Sequence, residues 1–492
     1  MAQYTGFLTN LIWVNILLAI FVVFFDKKSP QSTLMWVMVL YFLPIFGFIL
    51  YLFFGLDTRK NKLFSLKEYQ DRFLKMQSHK QMKKIVNDSY RFEDLESEEY
   101  KDLIRMNLIM DESFYTEDNS VTLYNWGEEL FEQLFDDLER ASKSIDLQSY
   151  IFKNDALGKK ILEILTRKAK EGVEVRLLVD SLGARYLRKK HLKPLEDAGG
   201  KVAMFFKSFF RIINFRINYR NHRKIIIIDN QISYVGGYNI GDEYIGRDKK
   251  FGPWRDSHLR ITGSGVFGLK IRFTKDWSYA SGEDPEFLDE FYIDMATVDT
   301  AMVPVDKVTH DVAMQIITSG PDTSLPNIKN AMFKMIGSAR KEIFIQTPYF
   351  VPDQSIMEAL KTALISGVDV HIMIPSRKDH PFVFWANLNN CGELLKHGAK
   401  IYYYNKGFIH SKVLIVDDFL STVGSANLDN RSFHLNFEVN CVMYDKAMNR
   451  RLKEQFYIDV KDSYLLTEEL YESRTRKAKA LESISRLLSP IL

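Results

Sequence analysis

The chain predicts an α/β protein of two similar α/β/α halves that build one site, preceded by a hairpin of two apolar helices. Three observations carry this reading. One polar stretch followed by an apolar run is written twice. Strand-like and helical segments alternate in the same order around each copy, and two long uncharged runs open the chain. At 492 residues there is room for more than one core, and a net charge of only +3 makes no general case for a nucleic-acid partner.

Phe7 to Phe25 and Thr33 to Leu56 are each long enough to span a bilayer as a helix, and no charge interrupts either. Asn10 and Asn15 weaken the first; Pro44 and Gly47 in the second are tolerated in membrane helices. A cleaved signal peptide fits the first run poorly, since it lacks a basic start and a second span follows at once. The hairpin, residues 1–60, carries Lys27 and Lys28 in its loop but Arg59, Lys60, Lys62 and Lys67 at or just beyond its exit. More basic residues at the exit place both ends, and the large region that follows, on the cytoplasmic side of a cell membrane. Residues 61–115 are charged with helical periodicity (Tyr69, Phe73, Met76) and read as a juxtamembrane stalk. The first half is then 116–308 and the second 309–492. Ala141–Gln148 is matched by Ala339–Gln346, and Gly172–Asp180 by Gly367–Pro375. Cys391 and Cys441 stand far apart in apolar settings, as small core residues rather than a disulfide or metal pair.

The repeated stretch is Asn221-His222-Arg223-Lys224 with Asp229, Gly236-Gly237 and Asn239, then Ile409-His410-Ser411-Lys412 with Asp417, Gly424-Ser425 and Asn427. In both copies Lys follows His by two residues, Asp by seven and Asn by seventeen. Alternation along a strand turns His222 and Lys224 to one face, and likewise His410 and Lys412, while Asp229 and Asp417 fall on the other face. The two Asp residues are therefore expected to support the motif rather than touch a substrate. The apolar runs after each Lys read as strands buried on both faces, and Gly236-Gly237 and Gly424-Ser425 let a neighbouring backbone approach. A histidine nucleophile, a lysine clamp and the amides of Asn239 and Asn427 suit attack on a phosphodiester. With an ordinary pKa near 6.5, one histidine can attack while the other gives a proton, and no metal or cofactor is required.

The pattern His-x-Lys-x4-Asp-x6-Gly-Gly/Ser-x-Asn, present twice, resembles the phospholipase D superfamily. The resemblance implies a phosphohistidine intermediate and one active site shared by two phospholipase D-type halves. Three further features resemble the bacterial cardiolipin synthases within it. They are the opening hairpin with Pro30–Trp36 and Leu43–Phe48, the stretch Asn427–Phe433 with Asn436-Phe437-Glu438, and the terminal Arg486–Leu492. That likeness implies phosphatidyl transfer between two phosphatidylglycerols, giving cardiolipin and glycerol, with His222 as nucleophile and His410 as acid. It also implies a carboxylate for each histidine: Glu438 for His410 and, on a longer spacing, Asp256 for His222.

The halves differ before the first histidine, where eleven extra residues stand. From Lys201 to Lys224 basic residues, among them Arg211 and Arg216, mix with bulky apolar ones such as Phe209 and Phe210, and no acid intervenes. The mixture suits an anionic bilayer surface, single-stranded nucleic acid, or a core segment with a solvated face. The hairpin favours the bilayer. A tethered nuclease and a transferase using another alcohol remain the rival activities.

Overall fold

The computed structural model describes residues 30–51, 68–206, 219–283, 303–323 and 325–488, with single positions between 13 and 24. The first expected spanning helix, 7–25, lies for the most part outside the described residues. The second, 33–56, is corrected: its described part is two helices, Pro30–Phe42 and Pro44–Leu50. Leu43 between them leaves helical geometry at φ −128° and ψ 67°, because a residue before proline is driven out of the α region. Among the described residues no helix is long and apolar enough to cross a membrane.

In chain order the strands are β1 (Tyr115–Trp126), β2 (Ser144–Ser149), β3 (Glu174–Asp180), β4 (Lys201–Phe205), β5 (Arg220–Asn221), β6 (Ile225–Ile228), β7 (Ile232–Gly236) and β8 (Trp254–Thr262). The second half contributes β9 (Val308–Ser319), β10 (Glu342–Gln346), β11 (Phe350–Val351), β12 (Asp369–Pro375), β13 (Lys400–Tyr404), β14 (Phe408–Ile409), β15 (Val413–Val416) and β16 (Leu420–Gly424). It ends with β17 (Leu428–Asp429), β18 (Asn436–Tyr444) and β19 (Ser463–Leu466). The first half pairs in the order β4-β3-β2-β6-β7-β8-β1. The second pairs as β13-β12-β10-β15-β16-β18-β9, the same order strand for strand, with β19 added beside β13. An antiparallel β1–β9 ladder joins the two.

Burial follows from this layering. Successive side chains of a strand point to opposite faces. Ile225 and Ile227 accordingly enter a core shared by both halves, with Val413 and Ile415 from the other side. Ile226 and Ile228 pack into the first half's own core, Leu414 and Val416 into the second's. Helices such as Ala156–Lys170 and Gln354–Ile365 cover the outer faces. The segment read as a juxtamembrane helical stalk is largely helical where it is described, but it is packed against the second half. Ile85, Leu103, Ile104 and Leu108, from helices Glu68–Val86 and Lys101–Asp111, lie in the second half's core. Their apolar stripes would otherwise face water. Cys391 and Cys441 are buried free thiols in separate clusters.

Candidate active site

Two short strands cross between the halves and set the site. β5 pairs in parallel with β18, Asn221 opposite Phe437. The residues that follow are His222, just past β5, and Glu438 in β18, and the His222 N–H donates to the Phe437 carbonyl at 2.9 Å. Reciprocally, β14 pairs in parallel with β8, Ile409 opposite Arg255, and the His410 N–H donates to the Arg255 carbonyl at 2.7 Å. Each histidine is thus laid beside a carboxylate of the other half. His222 Nδ1 lies 3.0 Å from both Glu438 oxygens, and His410 Nδ1 lies 2.7 Å from Asp256 Oδ2. The assignment of Glu438 to His410 and Asp256 to His222 is therefore reversed. The reason is strand exchange, which sequence distance along one half does not reveal.

A carboxylate that stays ionised only accepts, so each Nδ1 carries the donated proton and each Nε2 is left for chemistry. Burial by itself would raise the Glu438 carboxyl, yet His222, Lys224 and the Ser425 hydroxyl hold it below its ordinary range. Asp256 is likewise raised by burial but drawn below its ordinary range by Lys412 and His410. Burial pushes His222 down, against Glu438. His410 falls to about 4 through burial and the nearby Lys412 ammonium, against Asp256. Lys412 Nζ lies 2.7 Å from His410 Nδ1 and also donates to the His410 carbonyl. Lys224 Nζ donates to the His222 carbonyl at 2.6 Å. Burial lowers Lys224 to about 7 and Lys412 to about 8. Burial in the site therefore disfavours positive charge on these groups, whereas a phosphodiester anion between the two sets would favour it.

A depressed histidine also makes stability depend on pH. Between about 4 and the ordinary 6.5 the unfolded chain binds a proton at His410 that the folded chain does not, so acid in this window favours unfolding. Protonation of Asp256 and Glu438 adds to the loss at lower pH. The denaturation midpoint should be lower at pH 5 than at pH 7, and an equal midpoint would contradict a buried neutral His410.

The remaining motif residues divide by task. Asp229 accepts from the N–H groups of Ser142, Lys143 and Ser144 at 2.7–2.8 Å. Asp417 accepts from Arg340, Lys341 and Glu342 at 2.7–3.0 Å. Each sits beyond the end of its strand remote from its histidine and ties that end to the strand beside it. Asn239 accepts from Ile151 N–H at 3.1 Å and donates to the Tyr244 hydroxyl, while Asn427 donates to Asp429. The carboxylates explain why one copy reads Gly-Gly and the other Gly-Ser. A Cβ at Gly237 would stand 2.0 Å from Asp256 Oδ1, whereas Glu438 is one methylene longer and leaves room for Ser425, whose hydroxyl donates to it at 2.5 Å. Gly237→Ser is expected to cost ~1–3 kcal/mol by overpacking and to lower the melting temperature together with activity. An unchanged melting temperature would show that the site relaxes freely. Phe209, Phe210, Arg211 and Arg216 lie outside the described residues.

A family model described as "Cardiolipin synthase, PLD-like domain" matches residues 134–249 and again 332–459. A cardiolipin synthase of Oceanobacillus iheyensis is 45% identical over 99% of this chain and 99% of its own length. The chain belongs to the cardiolipin synthase family of the phospholipase D superfamily. The major cardiolipin synthase of Bacillus subtilis is 45% identical over 97% of both chains, and one from Staphylococcus aureus 44% over 97% and 95%. Residues 13–55 match a second model, "Phospholipase_D-nuclease N-terminal". The crystal structure of phosphatidylserine synthase from Haemophilus influenzae superposes with a TM-score of 0.58 at 15% identity. It covers 76% of this chain and 95% of that one, a likeness of fold. Membership makes the chain a phosphatidyltransferase.

This member of the family also uses residues that sequence reasoning missed. Arg223, fully buried, donates to the Glu438 carbonyl at 3.0 Å and to Asp276 at 2.8 Å. Gln148 donates to the same Asp276 at 2.7 Å. At the other histidine's carboxylate Arg255, also of the first half, donates to the Asp256 carbonyl and to Asp459 of the second half, which Gln346 also meets at 2.8 Å. Each guanidinium holds the backbone of a carboxylate residue. The two cations occupy different places in the repeat, Arg223 inside its motif and Arg255 beside its carboxylate, so comparing the copies hides the correspondence. Gln148 and Gln346, at matched positions, were the available signal.

Proposed function

We propose that the chain moves a phosphatidyl group from one phosphatidylglycerol to a terminal hydroxyl of a second, giving cardiolipin and free glycerol. The observation that carries this is the pair of histidines, each held at Nδ1 by a carboxylate from the opposite half. In the first step one Nε2 attacks phosphorus and the phosphorus–oxygen bond to glycerol breaks. The leaving oxygen takes a proton from the second histidine. That histidine, now neutral, removes the proton of the second lipid's hydroxyl, whose oxygen attacks phosphorus and breaks the phosphorus–nitrogen bond. Lys224 and Lys412 offset the charge of the phosphoryl oxygens. The family resemblance supports His222 as nucleophile and His410 as acid. The carboxylate pairing treats the two alike.

The lipid substrate supports action at a bacterial cell membrane, and the basic residues at the exit of the opening segment support the cytoplasmic side for the catalytic halves. The segment holding Phe209, Phe210, Arg211 and Arg216 would contribute to contact with that surface. The test is a product assay with labelled phosphatidylglycerol vesicles and chelator present. Cardiolipin with glycerol in equal amounts is expected; phosphatidic acid alone would replace the synthase with a hydrolase.

A further inference from the structure

The two-half topology decides what surrounds the histidines. In the first half Gln148 of β2 faces Ile225 of β6, and Ser149 faces Val179 of β3. His222, just before β6, therefore lies at the same sheet edge as the loop that follows β3, and Asp180 at the end of β3 accepts from the Asn221 N–H at 3.0 Å. In the second half Gln346 of β10 faces both Val413 of β15 and Met373 of β12. His410 is accordingly flanked by the loop that follows β12. The pseudo-twofold relation thus puts one loop, with the start of the helix that follows it, on each side of the site: 181–190, entering helix Lys189–Asp197, beside His222, and 376–385, entering helix Pro381–Leu395, beside His410.

Both loops present cations with large apolar side chains. In 181–190, Tyr186 is 61% exposed and Leu182 38%. Arg185 stacks on the Tyr186 ring at 4.8 Å, and Arg188, Lys189 and Lys190 are exposed. In 376–385, Phe382 is 48% exposed, and Lys378 lies over the Trp385 ring at 4.2 Å. The acid of that loop, Asp379, is engaged by the Tyr349 hydroxyl. Cations beside rings and exposed apolar side chains suit the headgroup layer of an anionic bilayer, where rings enter the interface and ammonium or guanidinium groups meet phosphates.

We propose that segments 181–190 and 376–385 form a two-sided rim that seats the catalytic edge on an anionic phospholipid bilayer. The proposal rests on the reading that the substrates are membrane lipids. A rim on both sides holds the donor and the acceptor at one depth and leaves the interface, rather than bulk water, in front of both Nε2 atoms.

The native thiols are buried, so single cysteines can be labelled in the full chain. Tyr186→Cys, Phe382→Cys and a control, Lys341→Cys, would carry an environment-sensitive fluorophore. Lys341 is 73% exposed and lies at the opposite edge, beside Asp417. The protein would be moved from neutral detergent to phosphatidylglycerol bilayers or to phosphatidylcholine bilayers, or mixed with a single-stranded oligonucleotide. The expected result is a blue shift and quenching by spin-labelled lipid at 186 and 382, only with phosphatidylglycerol, and none at 341. A response at one loop alone, at all three positions, equally in phosphatidylcholine, or to the oligonucleotide would overturn the rim. Cardiolipin formation by the unlabelled protein in the same bilayers separates failure of the rim from failure of the activity.

Discussion

His222→Ala and His410→Ala should each lower cardiolipin formation by about ten-thousand-fold or more, because each removes a group that takes part in both steps. The two losses have different causes and can be told apart. A phosphatidyl donor carrying p-nitrophenol in place of glycerol has a leaving group that departs without a proton. With that donor, removing the acid histidine should leave one rapid equivalent of nitrophenolate, since the phosphohistidine still forms. Removing the nucleophile should leave none. Resemblance assigns the burst to His410→Ala; a burst in His222→Ala instead would exchange the roles. A burst in both variants would mean that either histidine can serve as the nucleophile, and a burst in neither would remove the covalent intermediate from the reaction.

The second large effect tests the crossing of the halves. Glu438→Gln and Asp256→Asn keep the shape of each side chain but remove its charge and put a donating amide where only acceptors stood, so the Nδ1 proton is no longer fixed, and each should lower turnover by about 10²–10⁴-fold. The separate readout is titration of the histidines by NMR. Loss of the Glu438 charge removes the group that favours protonated His222, so the His222 pKa should fall further while His410 is left nearly unmoved. Asp256→Asn should do the converse. If Glu438→Gln shifted His410 instead, the histidine–carboxylate pairs would lie within halves rather than between them. A fall in activity with neither titration changed would make the carboxylates structural.

Arg223 and Arg255 show how such pairing is kept rigid. Their guanidinium groups are fully buried against Asp276 and Asp459. Losing one partner of a pair of this kind leaves a charge without compensation, which is strongly destabilising. These networks lie beneath the site and hold its two carboxylate-bearing strands.

Local pattern was enough for much of this protein. Spacing within each copy of the motif set the order of His, Lys, Asp and Asn around adjoining strands, although the structure puts them at the ends of those strands rather than within them. It also separated Asp229 and Asp417 from the histidines by the length of the apolar strand. The apolar runs Ile225–Ile228 and Val413–Val416 are buried on both faces as their composition required. These are short-range properties, decided by side-chain alternation, turn chemistry and the need to bury apolar surface. Matching the copies also made the common succession of strands and helices legible, because a repeated sequence folds into a repeated set of elements.

Tertiary structure decided the rest. Which carboxylate meets which histidine depends on β5 and β14 leaving their own halves, a choice made by long-range strand pairing that spacing along the chain cannot encode. The packing of helices Glu68–Val86 and Lys101–Asp111 into the second half was hidden for the same reason. Their periodicity demanded a partner surface without naming it. The break at Leu43 turned on a proline that lipid-spanning helices tolerate, so composition left both outcomes open. Residue types and intervals determined the chemistry this chain carries; only the fold, by exchanging strands between like halves, determined how its parts are joined.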